Sequence, residues 1–168
     1  MSSRYAKYIL SNLANTASLL WHAYKSLPSP SSEVNWAGPS ALSVLPSNTS
    51  SPYLGFYTIC PTSTKTLILG PFQGKVACQT ISILPARGVC GAAASTATTQ
   101  LVADVEQFPG HIACDGDSRS EIVVPVVVRE VVKAIIDVDC KVVGGFDEVD
   151  RRWLEKLAVL LGGACDWP

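Results

Sequence analysis

The hydrophobic patterning predicts an α+β domain in which helices gather on a mostly antiparallel central sheet. Three observations point to it. An amphipathic helical pattern stands at each end of the 168-residue chain, over residues 1–27 and 147–163. Two long apolar runs, EIVVPVVVR (121–129) and VVKAIIDVD (131–139), follow one another as strands. Between the first helix and these runs lie shorter strand-like pieces separated by irregular, turn-rich loops.

The elements follow in order. Ser2 or Ser3 can cap a helix whose apolar positions Tyr5, Ile9, Leu13, Leu20, Tyr24 and Leu27 are mostly three or four apart, and Pro28 and Pro30 end it. A short strand is expected at Val34–Ala37. The serine- and proline-rich, uncharged stretch 38–54 then reads as a loop insertion. Tyr53–Cys60 and Lys65–Leu69 are expected strands, and GPFQGK (70–75) is a turn-rich loop. The small residues of 88–95 can open a helix, while Pro109, Gly110 and Gly116 make 104–119 an irregular loop. Asp147 caps the last helix, whose expected apolar face is Val149, Trp153, Leu157, Leu160 and Leu161. The whole chain, 1–168, is most simply one domain, long enough to bury a core without staples.

Composition excludes several classes of function. Hydrophobic residues make up 48% and charged residues 16%, which marks a folded chain and not a disordered one. A net charge of −1 with no basic stripe argues against nucleic acid and anionic membranes as partners. No run approaches the roughly 18 apolar residues of a spanning helix. The first 27 residues lack the apolar core of a secretory signal, so a cytoplasmic location with nuclear access is expected, and a mitochondrial one is the weaker reading.

The six cysteines lie at 60, 78, 90, 114, 140 and 165, too far apart for the paired spacing of zinc sites or thioredoxin-like motifs. Glycines and small residues place Cys90 and Cys114 in turns, where sulfur can meet solvent or a second sulfur, and Cys78 flanks them. Reactive sulfur is therefore the first expectation, whereas Cys60, Cys140 and Cys165 sit in or beside apolar runs and read as packing. His111, three residues before Cys114, can be a base that generates a thiolate or simply a structural hydrogen-bond partner. Asp137 and Asp139 alternate with Val138, so both carboxylates share one strand face, where they raise each other's pKa. In a strand otherwise apolar, that favours a functional pair over a solvated strand end. Glu121 can join them or be an ordinary strand-edge charge. Trp36 and Tyr57, taken alone, are core aromatics.

The segments GPFQGKVAC, RGVCGAAA, VADVEQFPGHIACDGDSRSEIVVPVV and IIDVD together resemble the free methionine-(R)-sulfoxide reductases, a branch of the GAF-domain fold. The resemblance covers about Asn35 to Asp147. It implies that Cys114 of GHIAC is the nucleophile, Cys78 of GKVAC the resolving cysteine, and Cys90 of GVCG a third that can join disulfide exchange. It implies a substrate pocket of Trp36, Tyr57, Glu121, Asp137 and Asp139. The family's continuous NWxGFY is interrupted here from about Pro39, so pairing Trp36 with Tyr57 requires the insertion to loop out and return in register, with Gly38 or Gly55 as the matching glycine. The segment between Cys78 and Cys90 is also slightly longer than in the family.

The implied reaction is attack of a Cys114 thiolate on the sulfoxide sulfur, with Glu121, Asp137 or Asp139 protonating the oxygen. A sulfenic acid on Cys114 then condenses with Cys78 or Cys90 to a disulfide that thioredoxin reduces. The acids would also bind the ammonium of a free amino acid, and Trp36 and Tyr57 would face its S-methyl group. No metal or organic cofactor is expected. The oligomeric state is open, a homodimer included. Two rival classes are a ligand-binding GAF sensor, which would need a partner domain, and a cysteine redox switch, which would not need the acids.

Overall fold

The computed structural model describes residues 4–41, 65–83, 87–114 and 116–167. Helix α1 (Arg4–Ser26) is followed by a single 3₁₀ turn and strand β1 (Val34–Ala41), then β2 (Thr66–Ile68), β3 (Gln73–Gly74) and β4 (Thr80–Ser82). Helix α2 (Gly88–Thr96), β5 (Gln100–Val102), a 3₁₀ turn at Val105–Gln107, β6 (Ser120–Val128), β7 (Val131–Cys140) and α3 (Glu148–Ala164) complete the chain. Five strands form one sheet in the order β3-β1-β7-β6-β5, every pair antiparallel, and β2 and β4 form a separate pair. The expected α+β architecture, helices gathered on a mostly antiparallel sheet, is what the chain adopts.

The period of two along β6 and β7 divides the molecule into two cores. Ile122, Val124 and Val126 with Ala134, Ile136 and Val138 face α1 and α3, meeting Ile9, Leu13, Leu154, Ala158 and Leu161. Val123 and Ile135 point the other way, to Val89 and Ala93 of α2, Leu67 of β2 and Val105. Covered on both faces, these strands read as near-continuous apolar runs. Pro125 sits within β6 opposite Ile135 of β7, beyond the residues that pair with β5.

Two boundaries and one buried face differ from the sequence reading. β1 extends to Ala41, four residues into the stretch expected to be a loop insertion, because Gly38–Ala41 continue the ladder against Asp137–Ala134 of the much longer β7. The rest of that stretch, from 42 to 54, and the strand expected at Tyr53–Cys60 lie outside the described residues. β6 ends at Val128, and a two-residue hairpin, Arg129-Glu130, turns the chain back with φ of 51° and 64°. In α3 the buried face is Leu154, Ala158 and Leu161, while Val149, Trp153 and Leu160, expected inside, are exposed. The helix carries two apolar stripes that both satisfy three- and four-residue spacing, and only one can lie on β6.

Helix termini join these layers. Asp147 accepts from the amides of Val149 and Asp150 while Asp150 accepts from the amide of Asp147, a capping box that starts α3 as expected. The same Asp150 accepts a hydrogen bond from the Tyr24 hydroxyl at 3.0 Å, which ties α1 to α3.

Candidate active site

The register of the sheet assembles the site before any loop contributes. Asp139 lies opposite Trp36 on one side and Glu121 on the other, and Asp137 follows two residues before it. Four side chains named from the sequence, Trp36, Glu121, Asp137 and Asp139, thus share the sheet face that α2 covers, and all line one cavity of about 100 Å³. That is well below the roughly 300–1,000 Å³ of sites for drug-sized ligands, and it suits a molecule of amino-acid size.

Two loops close over this face. Gly74, with φ of 118°, runs so close to the Asn35 carbonyl that a Cβ would collide with it, which sets the course of the segment leading to Cys78. The other loop is held where the Gly88 amide donates to the Gly110 carbonyl at 3.0 Å, joining the start of α2 to the turn before Cys114. Lys75 pairs with Asp117 across the two loops, and Lys141 stands 3.9 Å from the same carboxylate. The result is a disulfide between Cys78 and Cys114, whose Cα atoms are 5.3 Å apart although 36 positions separate them in sequence. Cys114 is exposed and Cys78 half-buried.

Cys90 occupies a different environment from the other two. It is free and buried in α2, with its sulfur 3.1 Å from Asp137 Oδ2 and 3.5 Å from Glu121 Oε1. Burial, and then the charges of Asp137 and Glu121, push its pKa well up, so it is a neutral thiol that donates to the carboxyls. Burial also raises Glu121 well above the usual carboxylate range, helped by Asp137 and Asp139, and raises Asp137 to about 6. The site therefore stores protons at neutral pH. His111 stands with Nε2 4.0 Å from Glu121 Oε2, its pKa lowered by burial. Cys140 and Cys165 are buried as packing, as expected, whereas Cys60 and Tyr57 lie outside the described residues.

One sulfur and one oxygen each from Cys90, Glu121 and Asp137 lie within 4.8 Å of one another, a donor set that a metal ion could use. Metal binding needs these ligands deprotonated, and burial drives all three the opposite way. The arrangement fits a proton reservoir better than a metal centre.

Phe72 and Arg87 were not singled out from the sequence. Phe72 stacks on Trp36 with ring centroids 5.9 Å apart, and its place in GPFQGK was the available signal. Arg87, the residue immediately before α2, also lines the cavity.

Comparison with known proteins agrees with this geometry. The GAF domain family pattern matches residues 41–166. The free methionine-R-sulfoxide reductase of Saccharomyces cerevisiae is 49% identical over 155 residues, 92% of this chain and 74% of that protein. That of Escherichia coli is 40% identical over 90% of this chain and 74% of its own length. The chain belongs to the free methionine-R-sulfoxide reductase branch of the GAF family. An X-ray structure of a family member from Neisseria meningitidis, in complex with its substrate, superposes with a TM-score of 0.74 at 34% identity, covering 93% of this chain and 77% of that one. Membership in the family agrees with the α+β fold and with a reductase activity.

Proposed function

We propose that this protein reduces free methionine-(R)-sulfoxide to methionine, with Cys114 as nucleophile and Cys78 as resolving thiol. The observation that carries the proposal is the Cys78–Cys114 disulfide lying over a buried, proton-holding group of acids, in a chain of this family. In the reduced protein the Cys114 thiolate attacks the sulfoxide sulfur while Glu121, which burial keeps protonated, gives its proton to the oxygen. The sulfoxide sulfur gains two electrons and methionine leaves. Cys114 loses two electrons and holds the oxygen as a sulfenic acid. The Cys78 thiol then attacks the Cys114 sulfur, the oxygen departs as water, and the disulfide results. Thioredoxin returns both sulfurs to thiols by exchange at the exposed Cys114.

Asp137 and Asp139 have a second role, binding the substrate ammonium. A peptide-bound methionine sulfoxide has an amide there and gains nothing from the acids. Among the described residues no helix is long and apolar enough to cross a membrane. The cytoplasm, where dithiol reductants keep cysteines reduced, suits the cycle.

Loss of free methionine-(R)-sulfoxide with dithiothreitol or thioredoxin as reductant tests the proposal. Wild type should turn over with either, and Cys114→Ser with neither, because a serine hydroxyl is not ionised at neutral pH. Cys78→Ser should consume one equivalent and then stall with thioredoxin. Cys90→Ser should keep thioredoxin-supported turnover, since Cys90 is a buried neutral donor and not the partner of Cys114. A reduced wild-type protein that leaves the sulfoxide untouched would remove the proposal altogether.

A further inference from the structure

We propose that Arg87 is the specificity-determining residue for the substrate α-carboxylate, a role that rests on the reduction of free methionine sulfoxide in this cavity. Three carboxyl groups line the cavity, Glu121, Asp137 and Asp139, and Arg87 is the one permanent cation among the described lining residues. His111 is neutral at physiological pH because burial lowers its pKa. Elsewhere on the molecule Arg119 pairs with Glu106, and Arg151 with Glu148 and Glu155. Arg87 has no ion-pair partner among the described residues, the three acids of its own cavity included. Positive and negative charge thus face the same space without neutralising each other. A small zwitterion, ammonium toward the acids and carboxylate toward Arg87, matches that separation.

Two further features agree. Arg87 is the N-cap position of the nine-residue α2, whose start has no side-chain cap and no acid in its first turn. The positive end of the helix dipole favours an anion beside the guanidinium. The cavity-lining residues Trp36 and Asp137 also each hold a buried polar atom without a partner among the described residues, the Nε1 donor and the Oδ1 acceptor. A ligand with both donor and acceptor groups would satisfy them, as an aliphatic one would not.

The guanidinium adds a selection that the acids cannot make. They read the ammonium, which an amino acid amide also has. Arg87 reads the carboxylate, which the amide lacks. Together they confine the substrate to the free amino acid at both ends.

A cycle of two substrates and three proteins tests this: L-methionine-(R)-sulfoxide and its C-terminal carboxamide with wild type, Arg87→Gln and Arg87→Lys. In wild type the amide should lose about tenfold to hundredfold in kcat/KM, the weight of one charge-assisted hydrogen bond. Arg87→Gln should lose a similar factor on the free acid, mainly through KM, and the penalty for the amide should vanish. Arg87→Lys should recover part of the loss, keeping the charge without the bidentate fork. Arg87→Gln with unchanged kcat/KM for the free acid would overturn the assignment. So would equal losses on both substrates, which would mark a structural role for Arg87. A wild-type protein inert toward both would overturn the reading of the site and the role of Arg87 with it. An active wild type that treats acid and amide alike would overturn the role of Arg87 alone.

Discussion

Asp137 shows how a single position joins packing to chemistry. It sits on β7 on the face of the α2-side core, 8% exposed, with Cys90 on one oxygen and no partner for the other among the described residues. Desolvation is the largest influence and disfavours its charged form, so its pKa rises from 3.8 to about 6. A pKa raised by folding contributes stability that is complete below the unfolded value and is lost as pH rises through the folded one. Between about pH 4 and pH 7 the wild-type protein should therefore lose stability at this residue, by at most about 3 kcal/mol. Asp137→Asn cannot ionise and escapes that loss. Urea denaturation of the two proteins across this window should show the variant gaining on wild type as pH rises. A difference that stays flat from pH 4 to pH 7 would mean that Asp137 titrates as an ordinary carboxylate. The same residue was legible in the sequence as a carboxylate two positions from another in an apolar strand. Its contact with Cys90, 47 positions away, was not, because no local pattern encodes which face of α2 meets the sheet.

Elements whose residues agree with their own period were the legible part of the fold. α1 buries Ile9, Leu13 and Tyr24 as expected, and α3 starts at its capping Asp147. The misread features were those that tertiary partners decide: which of two stripes on α3 is covered, and how far β1 follows β7. The break between β6 and β7 was placed one residue short for another reason, since its loop carries none of the usual turn residues. Arg129 and Glu130 both adopt positive φ, the backbone of a two-residue turn that Asn-Gly fits with little strain. Left-handed backbone costs an ordinary residue about 1–2 kcal/mol. Arg129→Asn with Glu130→Gly should then raise stability by about 1–2 kcal/mol, partly offset by the entropy of the added glycine. This hairpin is formed by the opposite ends of β6 and β7 from Glu121 and Asp139, so sulfoxide reduction should be unchanged. Equilibrium unfolding in urea checks the gain. A double variant no more stable than wild type would show that the native turn carries no such strain.

The whole molecule can be seen as a rigid two-core sheet carrying a redox-linked clasp. The sheet alone aligns Trp36, Glu121, Asp137 and Asp139, while the loops bring Cys78 to Cys114. Only the family resemblance pointed to that pair, because a contact spanning 36 positions leaves no spacing signature. Closing a loop of this length removes conformational freedom from the unfolded chain, worth up to about 4 kcal/mol in the chain-entropy view. For a domain of this size each kcal/mol moves Tm by roughly 2–4 °C, so the oxidised protein should melt above the reduced one by at most about 8–16 °C. The gap should be smaller to the extent that the two loops relax in the reduced native protein, which the Lys75–Asp117 pair opposes. Cys78→Ser cannot close the clasp, so its Tm should not respond to reductant, whereas Cys90→Ser should keep the full response. Thermal melts of the three proteins with and without dithiothreitol make the comparison. A wild-type Tm indifferent to reductant, in protein whose disulfide is confirmed by mass, would show that the clasp adds nothing to the stability of the fold. A reductant response that persisted in Cys78→Ser would place the stabilising disulfide elsewhere.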